Sequence, residues 1–440
     1  MNRNMTEGSV FKALLYFTIP LILSGLLQQL YNIADSIIVG NYVSEEALAA
    51  VGVSSPVLNI FIFITAGLVS GYTILLSQYY GAKEYDKILK LSSTIFSFIM
   101  IFVIAFSTLG YLFIDKILVL LNTPSEILQP ASDYLSIIFI GVPFLVLYNL
   151  FSAMLRGIGD SKTPLYSIIL STTINIILDL VFINIFHWGI KGAAIATVIA
   201  QSISSLYLYI FINKNHSIFK ISIKKKLMDI SLLFESLKLS LPLVIQSTVG
   251  TFGMLLLQKI MNSFGVDVVT AITTAYKIDT LTILPLINIS SAISIFVAQN
   301  IGANNMERAK EGLKKGIIIT LIVSVVVTSL VVIGGWHFMK LFGVSDEVAD
   351  IGQRFFYFLA VFYPVLGIEH SLYAFLQGNK DVVFTSISTM SSLILRVSMS
   401  YGLAHKLGSD VIAIAEISAW VFAALLCFLR YKSNKWQRII

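Results

Sequence analysis

Two carboxylates stand in strongly apolar stretches of the chain, where they could bind a small cation. Asp35 ends the polar segment QQLYNIAD, and Asp179 follows Asn175 by four residues. Residues four apart lie on the same face of a helix, so each carboxylate has a polar neighbour one turn away. Two carboxylates close together in an apolar medium cannot both stay ionised cheaply. Such a pair is therefore expected to hold a proton or a metal cation.

The polar residues before Asp35 share its helix face, and a face this polar is expected to point into the N-terminal half of the protein and not toward lipid. The face contains Gln28, Tyr31, Asn32 and Asp35. Counted from the ends of their apolar stretches, Asp35, Asp179 and Thr197 lie at similar depth in the outer half of the membrane. Carboxylate, amide and hydroxyl oxygens suit Na⁺ or H⁺. The predicted site for H⁺, or for Na⁺ as its metal, contains Asp35, Asn175, Asp179 and Thr197. A buried structural hydrogen-bond network is the alternative.

The composition shows why charged residues inside these stretches are unusual. Of 440 residues, 57% are hydrophobic and 12% are charged, whereas about a quarter of the residues of a soluble protein are charged. Lipid must therefore solvate much of the chain, which excludes a soluble enzyme, a nucleic-acid-binding protein and a disordered scaffold. The single cysteine, Cys427, excludes an internal disulfide framework. The sequence has no phosphate-binding loop, so we expect an ion gradient, with no other cofactor, to supply the energy.

Apolar stretches of about 20 residues, the length that a helix needs to cross a bilayer, recur along the whole chain. The predicted spans are residues 13–39, 51–78, 91–113, 134–155, 165–186, 193–212, 237–261, 269–298, 317–338, 355–376, 382–403 and 411–429. Backbone groups must be paired in lipid, and spans of this length without strict alternation are helices. The predicted fold class is an all-α integral membrane protein with twelve transmembrane helices.

The distribution of cationic residues predicts the orientation. We counted Lys and Arg in every second connection, starting with the N-terminal tail. These segments hold 21 of the 30 Lys and Arg residues, whereas the intervening connections hold 5. Cytoplasmic connections are enriched in Lys and Arg. Both termini are therefore expected in the cytoplasm, with the protein in the plasma membrane.

The two halves of the chain are related by an internal repeat. Scarce residue types match at a shift of 222 or 221 residues: Pro20 and Pro242, Gln78 and Gln299, Gly81-Ala82 and Gly302-Ala303, Pro143 and Pro364, Gly157 and Gly378, Asp160 and Asp381. Six helices per half place both repeats in the same orientation, related by a pseudo-twofold axis along the membrane normal. The predicted organisation is a six-helix lobe at 1–212, a basic cytoplasmic linker at 213–233 and a second six-helix lobe at 234–440.

Short motifs at the ends of the helices resemble a known family. The segments Q-Y-Y-G-A at 78–82 and Q-N-I-G-A at 299–303 resemble the paired Q-x-x-G-A motifs of the multidrug and toxic compound extrusion (MATE) transporters. The segment R-G-I-G-D at 156–160 resembles the R-G-x-G-D turn of that family, and K-I-D at 277–279 is similar to its R-I-E. The resemblance covers the whole chain, including the helix count and the repeat.

The resemblance implies roles for several of these residues. Asp35 matches the coupling aspartate of the proton-coupled bacterial and archaeal members, and Asn175, Asp179 and Thr197 match the rest of their N-lobe cation site. Pro20 matches the proline at which their first helix bends when the aspartate is protonated. A proline within a span also removes one backbone hydrogen bond, which makes a hinge plausible on physical grounds alone.

The C-terminal lobe departs from the pattern of the sodium-coupled relatives, because Gln246 stands where their seventh helix often carries a glutamate. The other ionisable residues in its spans are expected to form internal salt bridges: Lys277, Asp279, Glu369, His370, Arg396 and Glu416. Among these, Glu369 is the best candidate for an auxiliary substrate or proton carboxylate.

The resemblance implies efflux of amphipathic organic cations in exchange for H⁺ or Na⁺ by rocker-switch alternating access. The predicted substrate cavity contains Gln28, Tyr31, Asn32, Asn149 and Glu369, with Tyr148, Phe144, Phe151 and Met154 nearby. Aromatic and methionine side chains suit such cations. The expected partners are small organic cations and the bilayer, with no nucleic acid, and the expected state is a monomer.

Two other functions are the alternatives, a lipid-linked oligosaccharide flippase and a channel. The acidic residues of the first lobe disfavour a flippase. A hinge together with duplicated lobes disfavours a channel.

Overall fold

The computed structural model describes residues 5–219 and 228–439. Within those residues the chain is helical and contains no β-strand. The α-helices are α1 (Val10–Tyr42), α2 (Glu45–Gly81), α3 (Tyr85–Leu112), α4 (Ile114–Leu120), α5 (Ser125–Gly157), α6 (Lys162–Leu180), α7 (Gly189–Asn215), α8 (Ile230–Met261), α9 (Val266–Gly302), α10 (Met306–Lys340), α11 (Asp346–Ala360), α12 (Tyr363–Gly378), α13 (Val382–Leu407) and α14 (Val411–Lys432). Of the predicted linker, residues 220–227 lie outside the described residues.

The helices account for the twelve predicted spans. Ten helical stretches are long and apolar enough to cross a membrane, and the last of them, Val382–Lys432, contains the two helices α13 and α14. The bent pair of α11 and α12 supplies the remaining span. The predicted all-α membrane fold is therefore confirmed. The short helix α4, between the third and fourth spans, was not predicted.

The tenth span differs from the prediction, which placed one helix at 355–376. It begins at Asp346 and consists of α11 and α12, whose axes differ by 50°. Pro364 is one cause of the break, because it follows Tyr363, the first residue of α12, and cannot donate a backbone hydrogen bond to the preceding turn. The start of α11 was missed because its first turn carries Asp346 and Glu347, which lower the local hydropathy.

The chain forms two compact units whose boundaries pass through helices. Residues 23–240 form the first unit, and the second contains residues 241–440 together with α1 up to Ile22. This differs from the predicted division at 1–212 and 234–440. Each boundary lies within two residues of a helix-internal proline, Pro20 in α1 and Pro242 in α8. The two matched prolines therefore mark the positions at which each helix passes from one unit to the other.

The first turns of α1 are part of the core of the second unit. Leu14, Phe17 and Leu21 are at most 3% exposed and belong to a cluster that includes Ile293 and Phe296 of α9. The side chain of Arg308 donates hydrogen bonds to the backbone carbonyls of Met5, Glu7 and Gly8, at 2.7 to 3.2 Å. Apolar burial and backbone capping thus fix the start of α1 in this unit.

The first turns of α8 are fixed in the first unit in a comparable way. Ser240 donates a hydrogen bond to the carbonyl of Leu68 at 2.9 Å, and Tyr79 donates to Glu235 at 2.7 Å. A Cβ atom on Gly71 would lie 2.3 Å from the Ser240 Oγ and 2.6 Å from its backbone nitrogen. Glycine is therefore required at this crossing of α2 and α8.

Candidate cation site

Three helices of the first unit meet at the hydroxyl of Thr197 in α7. Tyr31 of α1 donates a hydrogen bond to the Thr197 Oγ1 at 3.2 Å, and the Asn175 amide of α6 approaches the same oxygen at 3.5 Å. The long apolar helices place these side chains inside the unit, where Asn175 is fully buried and Thr197 is 7% exposed. Three of the polar residues singled out in the sequence are thereby brought together.

The two carboxylates lie one turn beyond these contacts on their own helices. Asp35 follows Tyr31 by four residues in α1, and Asp179 follows Asn175 by four in α6. Asp179 is fully buried, and it interacts electrostatically with Asp35. It also lies two residues before a π-helical turn, Val181–Ile185, a deformation that often occurs at functional sites.

Four oxygen atoms of this group lack hydrogen-bond partners. The Oδ1 atoms of Asp35 and Asn175 and both carboxylate oxygens of Asp179 are buried without any donor among the described residues. Leaving buried polar oxygens without donors costs several kcal/mol in total, and more when they are charged. A bound proton or monovalent cation would satisfy them. Two carboxylates, an amide and a hydroxyl thus fit H⁺ or Na⁺, whereas the described residues contain no cluster of three or more His, Cys, Asp or Glu side chains that could hold a metal ion.

A tyrosine that the sequence did not single out completes the surroundings of the carboxylates. Tyr134 of α5 is 6% exposed, and its hydroxyl interacts electrostatically with Asp35 and Asp179. Tyr134 stands near the start of an apolar span, and no polar residue lies three or four positions away from it in the sequence. It therefore lacks the spacing that identified the other site residues. No signal in one sequence separates it from an ordinary packing residue.

A small polar cavity adjoins the site in the first unit. It has a volume of about 30 Å³ and is lined by Gln28, Tyr31, Leu145, Tyr148, Ile168, Ser171, Thr172, Gln201 and Ser204. This volume holds a water molecule but not an organic cation. Ser171 and Gln201 were missed, although each lies four residues from a predicted site residue, Asn175 and Thr197 respectively. The same spacing that identified Asn175 would have identified them.

Other predicted cavity residues are placed differently. Asn32 is exposed and Asn149 is half-buried in the first unit. Phe151 and Met154, at 2% and 0% exposed, belong to the packed interior and not to a cavity. Phe151 stacks on Phe96 with ring centroids 6.2 Å apart.

The remaining predicted residues belong to the second unit. Glu369 is 8% exposed, and its Oε2 lies 2.5 Å from the Nδ1 of His370. Gln246 and Tyr373 exchange hydrogen bonds at 3.1 and 3.2 Å, which gives Gln246 a structural partner in place of a cation. Pro20 is buried within α1, in the part that packs in this unit.

The expected salt bridges of the second unit are partly present. Arg396 pairs with Glu416 at 2.9 Å, and His370 lies against Glu369. Lys277 is exposed, and Asp279 makes no salt bridge with any described residue. The expected salt bridges of Lys277 and Asp279 are therefore absent among the described residues, because Lys277 points away from the interior of the unit.

A family model described as MatE matches the chain twice, over residues 20–181 and 242–402. The two matches begin 222 residues apart, at Pro20 and Pro242, and end 221 residues apart, which confirms the predicted duplication.

Curated relatives extend over the full chain. The probable multidrug resistance protein YoeA of Bacillus subtilis is 28% identical and covers 100% of this chain and 96% of its own. YpnP of the same organism, also a probable multidrug resistance protein, is 29% identical and covers 99% of this chain and 97% of its own. The multidrug export protein MepA of Staphylococcus aureus is 26% identical over 78% of this chain and 76% of its own.

Solved structures share the fold. An outward-facing multidrug resistance MATE transporter of the MOP superfamily superposes with a TM-score of 0.92 at 23% identity, covering 100% of this chain and 98% of that one. A MOP superfamily transporter from Pyrococcus furiosus gives a TM-score of 0.92 at 23% identity, covering 99% of this chain and 98% of that one. The twofold family match spans more than half of the sequence, and the chain belongs to the MATE family of membrane transporters.

Proposed function

We propose that the protein exports amphipathic organic cations from the cytoplasm in exchange for H⁺ or Na⁺. The observation that carries the proposal is the group of four partnerless oxygens on Asp35, Asn175 and Asp179 in the first unit. The names of the relatives, which include a multidrug export protein and two probable multidrug resistance proteins, support this class of substrate. The substrate cavity is proposed to include Gln28, Tyr31, Asn32, Asn149 and Glu369.

The coupling ion acts by changing the charge of the first unit. When H⁺ or Na⁺ binds, it neutralises the carboxylate pair, and the attraction of this unit for an organic cation weakens. Substrate is then released outward, and the ion leaves toward the cytoplasm after the protein has changed conformation. A ligand shifts a conformational equilibrium only through its different affinities for the two states. The burial of Asp179 supports such a difference, because charging a buried carboxylate costs more than charging a hydrated one.

The conformational change is proposed to use the helix that carries Asp35. α1 connects the two units and contains Pro20 two residues before its boundary at Ile22. A proline within a helix removes one backbone hydrogen bond and lowers the cost of bending there. Neutralisation of Asp35 and a bend at Pro20 would therefore occur on one continuous helix.

Dye efflux from proteoliposomes tests the proposal. Purified protein is reconstituted with a fluorescent organic cation, and either a proton or a sodium gradient is imposed. We expect one gradient to drive efflux in the wild type and Asp35→Asn, which imitates the neutral carboxylate at almost the same volume, to lose the driven component. Full gradient-driven efflux by Asp35→Asn would show that this carboxylate is not the coupling group, and Glu369 would become the next candidate.

The orientation requires a separate test. We propose that both termini and the linker at 213–233 face the cytoplasm. In a Cys427→Ser background, a cysteine at Ser44, at the start of α2, should react with an impermeant reagent added outside intact cells. A cysteine at Ser222, a linker position outside the described residues, should be protected. Labelling in the reverse pattern would invert the topology.

A further inference from the structure

The second unit contains a buried carboxylate that the proposed coupling site does not use. Asp279 of α9 is 4% exposed and lies in an apolar cluster formed by α9, α10, α11, α12 and α14. Its carboxyl group accepts a hydrogen bond from the hydroxyl of Tyr363. The hydroxyl of Thr282 donates to the backbone carbonyl of Asp279 at 2.9 Å and lies 3.3 Å from the carboxyl oxygen. Tyr363 in turn packs near the ring of Trp420, with centroids 6.2 Å apart. Asp279 is thus held by neutral donors in a dry environment.

The buried cation that interacts electrostatically with Asp279 is already engaged by another carboxylate. Arg396 of α13 donates to Glu416 of α14 at 2.9 Å and to the hydroxyl of Tyr276 at 2.7 Å. Tyr276 donates to the same Glu416 oxygen at 3.1 Å. Tyr276 precedes Asp279 by three residues on α9, so the two side chains share a face.

The other titratable groups on the helices around Asp279 are turned to solvent or engaged elsewhere. In α10, residues 316–336 contain no charged side chain. Closer to the middle of the other helices, Lys277 is exposed, Asp350 accepts from Trp336 at 2.9 Å, Arg354 pairs with Asp410, and Glu369 lies against His370. The other charged residues of these helices lie at the helix ends, for example Asp267, Asp346 and Glu347 in first turns. Among the described residues, no salt bridge compensates Asp279.

The charges of this group balance only if one proton is bound. Asp279 and Glu416 supply two carboxylates, whereas Arg396 supplies one guanidinium. With both acids ionised, the buried group would carry one uncompensated negative charge, which is costly within a membrane-spanning unit. A proton on Asp279 removes that charge.

The group also contains an unused donor for the ionised form. The Nε of Arg396 is buried and has no acceptor among the described residues, although Arg396 is 8% exposed and interacts electrostatically with Asp279. A buried guanidinium nitrogen without an acceptor loses the free energy of a charged hydrogen bond. Hydrogen bonds from the Tyr363 and Thr282 hydroxyls stabilise the ionised form of Asp279, as does its electrostatic interaction with Arg396. Burial and the charge of Glu416 favour the protonated form, so the network can hold Asp279 with its proton and after the proton has left.

We propose that Asp279 is a second proton-binding carboxylate of the transport cycle, located in the second unit and independent of Asp35 and Asp179. The proposal rests on the proposed antiport only in assigning the bound proton to transport; the binding itself does not depend on it. A proton held permanently for structural reasons would never titrate, whereas a transported one must leave and return.

Infrared difference spectroscopy of the full-length protein in lipid can detect this proton directly. The background is Asp35→Asn/Asp179→Asn, which removes both carboxyls of the proposed cation site in the first unit. Failure of that site is then distinguishable from failure of the second. We expect this background to show a titrating protonated-carboxyl C=O band that Asp279→Asn removes. Asp267→Asn, an exposed change in the first turn of the same helix, should leave the band unchanged.

Tyr363→Phe keeps the inference testable if Asp279→Asn does not fold. This variant retains the carboxyl but removes a hydrogen-bond donor to it, so it should shift the frequency of the same band. A titration that is unaffected by both Asp279→Asn and Tyr363→Phe would overturn the proposal. So would a carboxyl band at Asp279 that does not change with pH over the range in which the protein stays folded.

Transport supplies the second readout. In proteoliposomes that contain the otherwise wild-type protein, Asp279→Asn should lower the number of protons moved per organic cation by one, and Asp267→Asn should not. An unchanged ratio in Asp279→Asn would contradict a transport role. If Asp279→Asn does not transport at all, the infrared titration alone tests whether Asp279 binds and releases a proton.

Discussion

The hydroxyl of Tyr31 in α1 donates a hydrogen bond to the Oγ1 of Thr197 in α7, at 3.2 Å. The two residues are 166 positions apart in the sequence, and their contact fixes the face of α1 that carries Asp35. Because Thr197 also receives the Asn175 amide, the same oxygen sets the position of α6 and therefore of Asp179. The alignment of the two carboxylates depends on this shared acceptor.

Loss of the Tyr31 hydroxyl should weaken this alignment without removing a charge. We expect Tyr31→Phe to lower the apparent affinity for the coupling ion about fivefold, because a neutral hydrogen bond contributes about 1 kcal/mol. The concentration of H⁺ or Na⁺ that gives half-maximal dye efflux measures this change. Tyr42→Phe, at the exposed end of the same helix, is the matched control. An unchanged half-maximal concentration in Tyr31→Phe would show that the contact does not support the site.

Neutralising the second carboxylate should damage coupling to a similar or somewhat smaller degree than neutralising the first. In Asp179→Asn, Asp35 remains to titrate on α1, the helix proposed to bend. We expect Asp35→Asn to abolish gradient-driven efflux and Asp179→Asn to reduce it severely, with both proteins inserted at normal levels. Efflux rates at several imposed gradients, normalised to the amount of protein, provide the measurement. A larger loss of gradient-driven efflux in Asp179→Asn than in Asp35→Asn would show that Asp179 contributes more to coupling than Asp35.

The spans and the family were accessible from the sequence because both depend on local patterns. Hydropathy identifies a lipid-exposed helix wherever it lies, and Pro20 and Pro242 could be matched as single residues. The pairing of α1 and α8 with particular units was not accessible, because hydropathy does not show which unit a turn of a helix packs against. Only the long-range contacts of Phe17 with the second unit and of Ser240 with the first decide where these turns pack.

The site was predictable where polar residues repeat at helical spacing and not elsewhere. Asn175 and Asp179 mark one face of α6, whereas Tyr134 is a lone aromatic residue and carries no such mark. The expected salt bridge of Asp279 was wrong for a related reason, because one sequence does not show which side chains of other helices surround a single buried carboxylate. The structure turns Lys277 outward and buries Asp279 against Tyr363, from a different helix.

Pro20→Ala tests whether the bend in α1 limits turnover. Alanine restores a backbone donor and stiffens the helix at the unit boundary. We expect normal insertion and substrate binding but efflux that is slower by roughly tenfold, a barrier increase of about 1.4 kcal/mol. Pro56→Ala, in the middle of α2 and entirely within the first unit, should not slow transport to this extent. Wild-type efflux by Pro20→Ala at equal expression would show that the bend is only architectural.

The anchor of the N-terminal segment can be tested at Arg308. Its guanidinium caps three backbone carbonyls, of Met5, Glu7 and Gly8. We expect Arg308→Ala to release this segment, with faster hydrogen exchange at the start of α1 and a loss of stability of about 1–2 kcal/mol, since the group is partly exposed. Arg308→Lys retains the charge but not the planar guanidinium group. It should therefore protect the start of α1 from hydrogen exchange less than the wild-type arginine does. Equal exchange in all three proteins would show that apolar packing alone holds the segment.

The crossing of α2 and α8 gives the sharpest steric prediction. A Cβ at Gly71 would lie 2.3 Å from the Oγ of Ser240 and 2.6 Å from its backbone nitrogen, and the backbone cannot move aside as a side chain can. We expect Gly71→Ala to destabilise the protein by about 1–3 kcal/mol, the usual range for overpacking. Gly52→Ala is the matched control in the same helix, because a Cβ there meets nothing within 4 Å and alanine is the better helix former by about 1 kcal/mol. Thermal unfolding in detergent, followed by the loss of monodisperse protein, should therefore shift in opposite directions in the two variants. Unfolding of Gly71→Ala at the temperature of the wild type would mean that the first turns of α8 do not pack against α2 in the protein as it exists in the membrane.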